Sequence, residues 1–458
     1  MEWRGRRIAV VGLGRSGQAA ARLLLREGVL VVGTDLKPKE ELGSEVDGLE
    51  RAGMKMLLGA NPIDIVNNVD CLIVSPGVPE SSNLVREARR RSIPVIGEIE
   101  FAYLFLEDHR IVAVTGTNGK TTTTALIGEI LKEDGRSVWV GGNMAPGEPL
   151  TDIALHAKSG DFIVAEVSTF QLESIERFRP QVGVLTNITP DHLDRHPDFG
   201  SYVRLKARLF ENQTESDWAV LNADDENVSS ATQGIRSKKT WFSRRGIPSP
   251  GVGLEGHVIV ADMAGERRRL LRVQETKLRG MHNAENALAA TAAALLLGAN
   301  DEAIRRALRR FPGVPHRLEE VAGIKGVLYV NNSMCTNPAA GARSLEAFEE
   351  PVVLIAGGKE KGLDLNPFYE VIQKKAKAVI LIGENAEKMR RDLARGGFEA
   401  AVLAGTMEEA VRLAATQASS GEVVLLSPGC ASFGQFRDFM DRGEQFRAAV
   451  KRLEESEA

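Results

Sequence analysis

Val112-Ala113-Val114-Thr115-Gly116-Thr117-Asn118-Gly119-Lys120-Thr121-Thr122 is the stretch that decides the fold. An apolar run reads as a strand, the two glycines as a tight turn, and the residues from Lys120 as the start of a helix. A strand, a glycine-rich turn and a helix N-terminus together make a phosphate cradle, because glycines let backbone N–H groups close on phosphate oxygens. In that cradle Lys120 reaches the outer phosphates and the Thr121 hydroxyl suits Mg²⁺. The usual P-loop pattern has a glycine where this chain has Val114, so the motif is a variant. The expected ligand is ATP, held by Thr115, Gly116, Thr117, Asn118, Gly119, Lys120, Thr121 and Thr122.

Upstream, Gly12-Leu13-Gly14-Arg15-Ser16-Gly17 follows the apolar run Ile8 to Val11, and Asp35 lies eighteen residues beyond Gly17. That spacing fits a dinucleotide site, another nucleotide, or a purely structural tight turn. A second turn, Ser75-Pro76-Gly77-Val78-Pro79, either adds N–H groups to the same crevice or is a plain loop. Downstream, Glu166 ends an apolar strand, a place that favours a metal-binding role over a core role. Ser168 to Gln171 also reads as a capping box at a helix start. Asp191-His192-Leu193-Asp194-Arg195-His196 holds two of the seven histidines beside two aspartates, which suits a metal or an acyl phosphate. By composition Lys206 is a solvated helix residue.

The chain has 458 residues, enough for about three domains at roughly 150 residues each. Apolar runs alternating with helix-period segments argue for parallel sheets covered by helices, an α/β class. Breaks near Gly97 and at Phe311-Pro312-Gly313-Val314-Pro315 set the expected boundaries 1–98, 99–313 and 314–458, with the proline-rich break as the expected hinge. Ser237 to Gly256, with Pro248, Pro250 and Gly251, reads as a surface excursion. The balance of 58 Lys+Arg against 62 Asp+Glu excludes a general nucleic-acid or anionic-membrane binder. Three cysteines, Cys71, Cys335 and Cys430, are too few and too scattered for a disulfide framework. No signal peptide or membrane-spanning run is evident, so a cytoplasmic protein without membrane insertion is expected.

Taken in order, these motifs resemble the Mur ligase family of ATP-dependent amide-forming enzymes of peptidoglycan synthesis. The likeness covers the chain and includes Gly280-Met281-His282-Asn283-Ala284-Glu285-Asn286 and Pro315-His316-Arg317-Leu318-Glu319. It implies an N-terminal Rossmann-like nucleotide-binding domain, a central P-loop ATPase-type domain and a C-terminal Rossmann-like domain. Within the family the chain is most similar to the branch that adds D-glutamate to UDP-N-acetylmuramoyl-L-alanine through an acyl phosphate. Ser75-Pro76-Gly77-Val78, Thr336-Asn337-Pro338, Gly357 to Gly362 and Ser427 to Phe433 carry that similarity.

The resemblance implies Lys120, His192 and a carbamylated Lys206 as catalytic residues. Thr121, Glu166, His192 and Lys206 would hold Mg²⁺, and Asn286, Arg317 and Asn332 would meet ATP. Arg15, Ser16, Asp35, Lys37, Ser75 and Gly77 would hold the uridine diphosphate, with Asn143, Ser168 and Gln171 near the acyl centre. Thr336, Lys361, Ser432 and Phe433 would receive D-glutamate. A monomer acting on small molecules is expected. The chain departs from the family where Asn332 and Met334 replace an aspartate and a lysine, where Met144 to Gly147 follow Asn143, and at Gly434. Other readings are a related ligase using L-glutamate or another acceptor, a nucleotide-binding homologue without catalysis, and, from the first glycine loop alone, an NAD-dependent dehydrogenase.

Overall fold

The computed structural model describes residues 3–106, 108–145, 147–191, 198–263, 265–278, 280–360 and 362–457. Among them the strands form three sheets, and contacts divide the chain into two compact units, Met1–Phe311 and Pro312–Ala458. The break falls at the Pro-Gly-Val-Pro stretch, while the expected boundary at 98/99 lies inside the first unit.

The first sheet is parallel and contains β1 (Arg7–Val11), β2 (Leu30–Asp35), β3 (Lys55–Leu58), β4 (Cys71–Val74) and β5 (Val95–Gly97) in the spatial order β3-β2-β1-β4-β5. The order reverses between β1 and β4, which opens a crevice at their carboxyl ends.

The second sheet contains β6 (Arg110–Thr115), β7 (Val138–Gly142), β8 (Phe162–Glu166), β9 (Val182–Leu185), β10 (Trp218–Asn222), β11 (Lys238–Ser243), β12 (Gly251–Glu255), β13 (Val258–Met263) and β14 (Glu266–Arg272). Its spatial order is β14-β13-β12-β11-β10-β9-β6-β8-β7, parallel from β7 to β12 and antiparallel thereafter. Central β6 is therefore flanked by β8 and β9. The expected surface excursion at 237–256 is instead part of this sheet. Its prolines and Gly246 sit in the link between β11 and β12. Gly251 and Gly253 let backbones approach, since a Cβ there would lie 2.1 Å from Trp241 O and 1.8 Å from Gly246 O. Turn-forming composition hid two strands whose alternation is short.

One apolar core runs from Trp3 through both sheets to Val228. Its joint is aromatic and ionic. Trp3 meets Phe101 edge-on at 5.3 Å, and Tyr103 meets Phe178 at 5.5 Å. The helix Glu98–Tyr103 contributes two buried carboxylates. Glu98 accepts from Thr151 N at 3.0 Å and Thr151 Oγ1 at 2.9 Å, and burial raises its carboxyl pKa. Glu100 accepts the backbone N–H groups of Glu176, Arg177 and Phe178 at 2.8–2.9 Å. Arg22 adds a 2.9 Å ion pair to Asp152.

In the second unit, β15 (Glu319–Ile324), β16 (Val327–Asn331), β17 (Val352–Ala356), β18 (Ala376–Leu381), β19 (Ala401–Leu403) and β20 (Val423–Leu426) lie in the order β15-β16-β20-β17-β18-β19. Only the β15–β16 pair is antiparallel, and apolar clusters cover both faces. The three cysteines are free and buried, and among the described residues no helix is long and apolar enough to cross a membrane.

Removing the Glu100 carboxylate strands three backbone N–H donors, of which that of Phe178 is buried and those of Glu176 and Arg177 are partly buried. Glu100→Ala is expected to cost about 3 kcal/mol or more in chemical denaturation of the full chain; a loss below about 1 kcal/mol would show that the joint is held some other way.

Candidate active site

The loop after β6 is shaped by two glycines with positive φ, Gly116 at +147° and Gly119 at +81°. Neither has room for a side chain. A Cβ on Gly116 would lie 1.9 Å from Thr186 Oγ1, and one on Gly119 would lie 2.2 Å from Asn286 Oδ1. The end of β9 supports the loop, because Asn187 Oδ1 accepts from Asn118 N at 2.8 Å and Thr186 Oγ1 donates to Asn118 O at 2.6 Å. Helix Met281–Leu296 supports it from another side, where Asn286 Oδ1 accepts from Thr123 Oγ1 at 3.3 Å. Thr186 and Asn187 were not singled out in the sequence, although a polar Thr-Asn pair ending an apolar strand was the available signal.

Helix Lys120–Glu133 starts directly from Gly119 with no side-chain cap, so its first N–H groups face the loop. Lys120 Nζ donates to Gly116 O at 3.0 Å and Thr117 O at 2.9 Å. Thr121 Oγ1 donates to Glu166 Oε2 at 2.6 Å, and Asn143 Nδ2 donates to Glu166 Oε1 at 3.1 Å. Glu166 is buried at the carboxyl end of β8, beside β6 in register. A hydroxyl and a carboxylate side by side, next to a phosphate loop, form a hard-oxygen donor pair that fits Mg²⁺, an ion that takes one or two protein ligands and fills its shell with water and phosphate. Among the described residues no three His, Cys, Asp or Glu side chains gather as a denser metal cage.

Lys206 is not a solvated residue. It is 2% exposed, donates to Gly116 O at 2.7 Å, and lies 4.5 Å from the Tyr202 ring centroid. Burial first, and the neighbouring Lys120 charge second, push its pKa well below the ordinary lysine value, against the opposing pull of Asp191 and Glu166. Tyr202, itself missed in the sequence, lies 3.1 Å from Thr117 Oγ1, and burial lifts its phenol to about 12. His192 lies outside the described residues.

In the crevice of the first sheet, Gly12 has φ +86°, and a Cβ on Gly17 would meet Gly12 O at 1.8 Å. Ser75 Oγ donates to Gly12 O at 2.6 Å, joining the two turns. Asp35 accepts from Leu13 N at 2.6 Å and Lys37 N at 2.9 Å, so its carboxylate fixes the glycine loop. Ser16 and Arg15 open helix Arg15–Arg26, Arg15 donating to Gly147 O, while Gly77 lies in the turn beyond β4. Ser168 and Gln171 form the expected capping box, and Gln171 Nε2 also reaches Glu98 Oε2 at 3.5 Å.

In the second unit the loops after β16, β20 and β17 meet at the carboxyl ends of adjacent strands. Asn332 donates to Ser344 Oγ at 2.6 Å and to Ser427 Oγ at 3.2 Å, and accepts from Leu318 N at 3.2 Å. Ser344 Oγ spends its proton on Ala340 O at 2.7 Å, so it offers a lone pair that suits an amide donor better than a carboxylate. Met334 Sδ lies 3.3 Å from Arg317 Nη2. Fully buried Arg442 ties Ser333 O at 2.8 Å to Cys430 O at 3.1 Å, burial lowering its pKa to about 10. Thr336 is half-buried, Ser432 buried and Phe433 exposed; Lys361 lies outside the described residues.

Comparison with known proteins gives a family along the chain. The family models described as Mur ligase MurD-like, N-terminal domain, Mur ligase middle domain, and Mur ligase, glutamate ligase domain match residues 6–97, 114–294 and 316–430. The UDP-N-acetylmuramoylalanine–D-glutamate ligase of Pelotomaculum thermopropionicum is 47% identical over 98% of this chain and 98% of its own. That of Desulfosudis oleivorans is 44% identical over 100% of this chain and 98% of its own. Among solved structures, UDP-N-acetylmuramate-alanine ligase MurC from Thermotoga maritima shares the fold, with TM-score 0.59 and 22% identity, over 98% of this chain and 100% of that one. MurF from Acinetobacter baumannii does so with TM-score 0.57 and 16% identity, over 93% and 91%.

The Lys206 amine has a pH signature. Its pKa is lower in the folded than in the unfolded chain, so between those two values the unfolded chain binds more protons and stability rises with pH. In bicarbonate-free buffer, the stability of the wild type relative to Lys206→Met is expected to increase from about pH 7 to about pH 9. A flat or falling difference in denaturant midpoints would mean that the folded protein holds the amine protonated.

Proposed function

The chain belongs to the Mur ligase family, and from that premise we propose that it joins D-glutamate to UDP-N-acetylmuramoyl-L-alanine at the expense of ATP, in peptidoglycan precursor synthesis. The observation that carries this reading is the similarity over nearly the whole chain to ligases of that name, at 47% and 44% identity. The functional parts are taken as residues 1–98 for the nucleotide-sugar substrate, 99–313 for ATP and 314–458 for the amino acid. A monomer working in the cytoplasm on small molecules completes the reading.

The reaction moves the γ-phosphoryl group of ATP to the alanyl carboxylate of the substrate, giving an acyl phosphate and ADP. The amine of D-glutamate then attacks the acyl carbon, phosphate leaves with the carboxyl oxygen, and the nitrogen gives up a proton as the amide forms. Both steps concentrate negative charge between nucleotide and acyl group, so positioning and fixed positive potential supply most of the catalysis. Loop N–H groups at Gly116 to Lys120 receive the phosphates. Lys120, at present bonded to loop carbonyls, has the reach to follow the transferring phosphoryl group. Thr121 and Glu166 would hold Mg²⁺, which supplies charge neutralisation.

Lys206 serves in a second role. A buried amine with a lowered pKa loses its proton more readily, and the neutral amine can add CO₂ to become a carbamate with loss of one proton. The product is an anion placed under the loop, suited with His192 to a second Mg²⁺. Asn286 steadies Gly119 and meets the nucleotide from behind the loop. Arg15, Ser16, Asp35, Lys37, Ser75 and Gly77 line the uridine diphosphate crevice, where the uncapped start of helix Arg15–Arg26 favours an anion. Asn143, Ser168 and Gln171 border the acyl centre. Arg317 and Asn332 serve ATP, and Thr336, Lys361, Ser432 and Phe433 receive D-glutamate.

Phosphate release from ATP with UDP-N-acetylmuramoyl-L-alanine is expected to depend on D-glutamate, and Lys120→Ala is expected to abolish it while leaving the circular dichroism unchanged. Release with L-glutamate alone, or near wild-type release by the variant, would overturn the reading. For the carbamate, Lys206→Ala is expected to lose turnover and to regain part of it with added short carboxylic acids. A variant with full activity returns Lys206 to a structural role.

A further inference from the structure

In the second unit the adjacent strands β16, β20 and β17 each end in a loop. The loop after β16 carries Thr336, the loop after β20 carries Ser432 and Phe433, and the loop after β17 lies against the latter. Being loops, they take their mutual arrangement from ties outside the strand ladder.

The central tie is one guanidinium. Arg442, on helix Phe439–Glu457, is fully buried, and its N–H groups reach two of the loops at once: Nε donates to Ser333 Oγ at 3.0 Å, Nη2 to Ser333 O at 2.8 Å and Nη1 to Cys430 O at 3.1 Å. Ser333 Oγ in turn donates to Phe439 O at 2.7 Å, which pins the loop after β16 to the start of the same helix. The loop after β17 is joined at one remove. Lys359 N donates to Ala431 O at 2.8 Å and Ala431 N to Lys359 O at 3.2 Å, next to the Cys430 carbonyl that Arg442 holds. Asn385 repeats the tie, accepting from Gly358 N at 2.9 Å and donating to Cys430 Sγ at 3.2 Å. Gly358, at φ +148°, permits this approach, since a Cβ there would lie 2.2 Å from Ala431 O.

Stability alone does not account for this residue. Among the described residues no carboxylate pairs with Arg442, and a cation buried without a counter-charge costs desolvation that an apolar side chain of like volume avoids. What a planar fork adds is directional hold on carbonyls of separate loops. We propose that Arg442 is a positioning residue for the amino-acid substrate, clamping the loops after β16, β20 and β17 in the arrangement in which Thr336 and Ser432 together meet D-glutamate. The guanidinium touches no substrate; it orders the groups that do, so that this ordering is complete before the amino acid binds. The ligand's identity rests on the function proposed above, and the clamp does not.

Amide hydrogen exchange of the full chain without substrate, together with steady-state kinetics, tests the clamp on Arg442→Met and Arg442→Lys. The first fills the space without hydrogen bonds. The second keeps the charge but not the fork, and carries the test if the first folds poorly. Both are expected to speed exchange at Lys359 and Ala431 at least about tenfold while amides inside β16, β17 and β20 stay protected. Both are also expected to raise the KM for D-glutamate at least about tenfold, with the KM for UDP-N-acetylmuramoyl-L-alanine unchanged. Phe446→Leu, a core change one turn along the same helix, is expected to do neither. Unchanged exchange at Lys359 and Ala431, faster exchange through the whole sheet, a wild-type KM for D-glutamate in Arg442→Lys, or the same effects from Phe446→Leu would each overturn the proposal. If the wild type turns over no D-glutamate, the ligase reading fails, and exchange at Lys359 and Ala431 still decides for or against the clamp.

Discussion

The phosphate loop depends on two missing side chains. At Gly116 and Gly119 the backbone passes so close to Thr186 and Asn286 that a single methyl group would displace it. Because the loop is pressed against the end of β9 and helix Met281–Leu296, its shape is set by the packing of the whole second sheet rather than by the local turn. Three strands deliver their carboxyl ends to one place: β6 the loop, β8 Glu166, and β9 the Thr186-Asn187 bracket. Neighbouring strands in parallel register bring residues from distant parts of the chain together without any local signal between them.

That packing creates an electrostatic problem beneath the loop. Lys120 and Lys206 both donate to Gly116 O, and two ammonium groups on one buried carbonyl repel each other while losing hydration. The relief falls on the more buried amine, Lys206, whose neutral form is favoured. Loop geometry and amine chemistry are therefore one constraint seen from two sides: closing the backbone on Tyr202 and Lys206 also shifts the lysine toward its neutral form.

The alternation of apolar runs and helix-period segments made the α/β class readable, and the phosphate loop and both turns of the first crevice were readable from their glycines. Glu166 was readable because a carboxylate closes an apolar strand. Lys206 was not, because Tyr202 to Lys206 has the pattern of a surface helix and only the fold places it under Gly116. The two strands within 237–256 were hidden by prolines and glycines that belong to their link and to close backbone approach. Asn332 looked like lost charge, whereas its partner Ser344, twelve residues on, shows an amide chosen to donate. Capping at Ser168 and Gln171 was legible, but their tie to Glu98 required the joint between two sheets.

That joint has a kinetic meaning. Glu98 and Glu100 bolt the module of the first sheet to the module that carries the phosphate loop, through buried carboxylates and a shared core. On the proposed reading, a substrate reaching from the glycine loop of β1 toward the loop of β6 would meet a seat whose two halves were brought into register during folding. The entropy of aligning them is spent before any ligand arrives, so binding energy is free to raise the effective molarity of the carboxylate at the phosphoryl group.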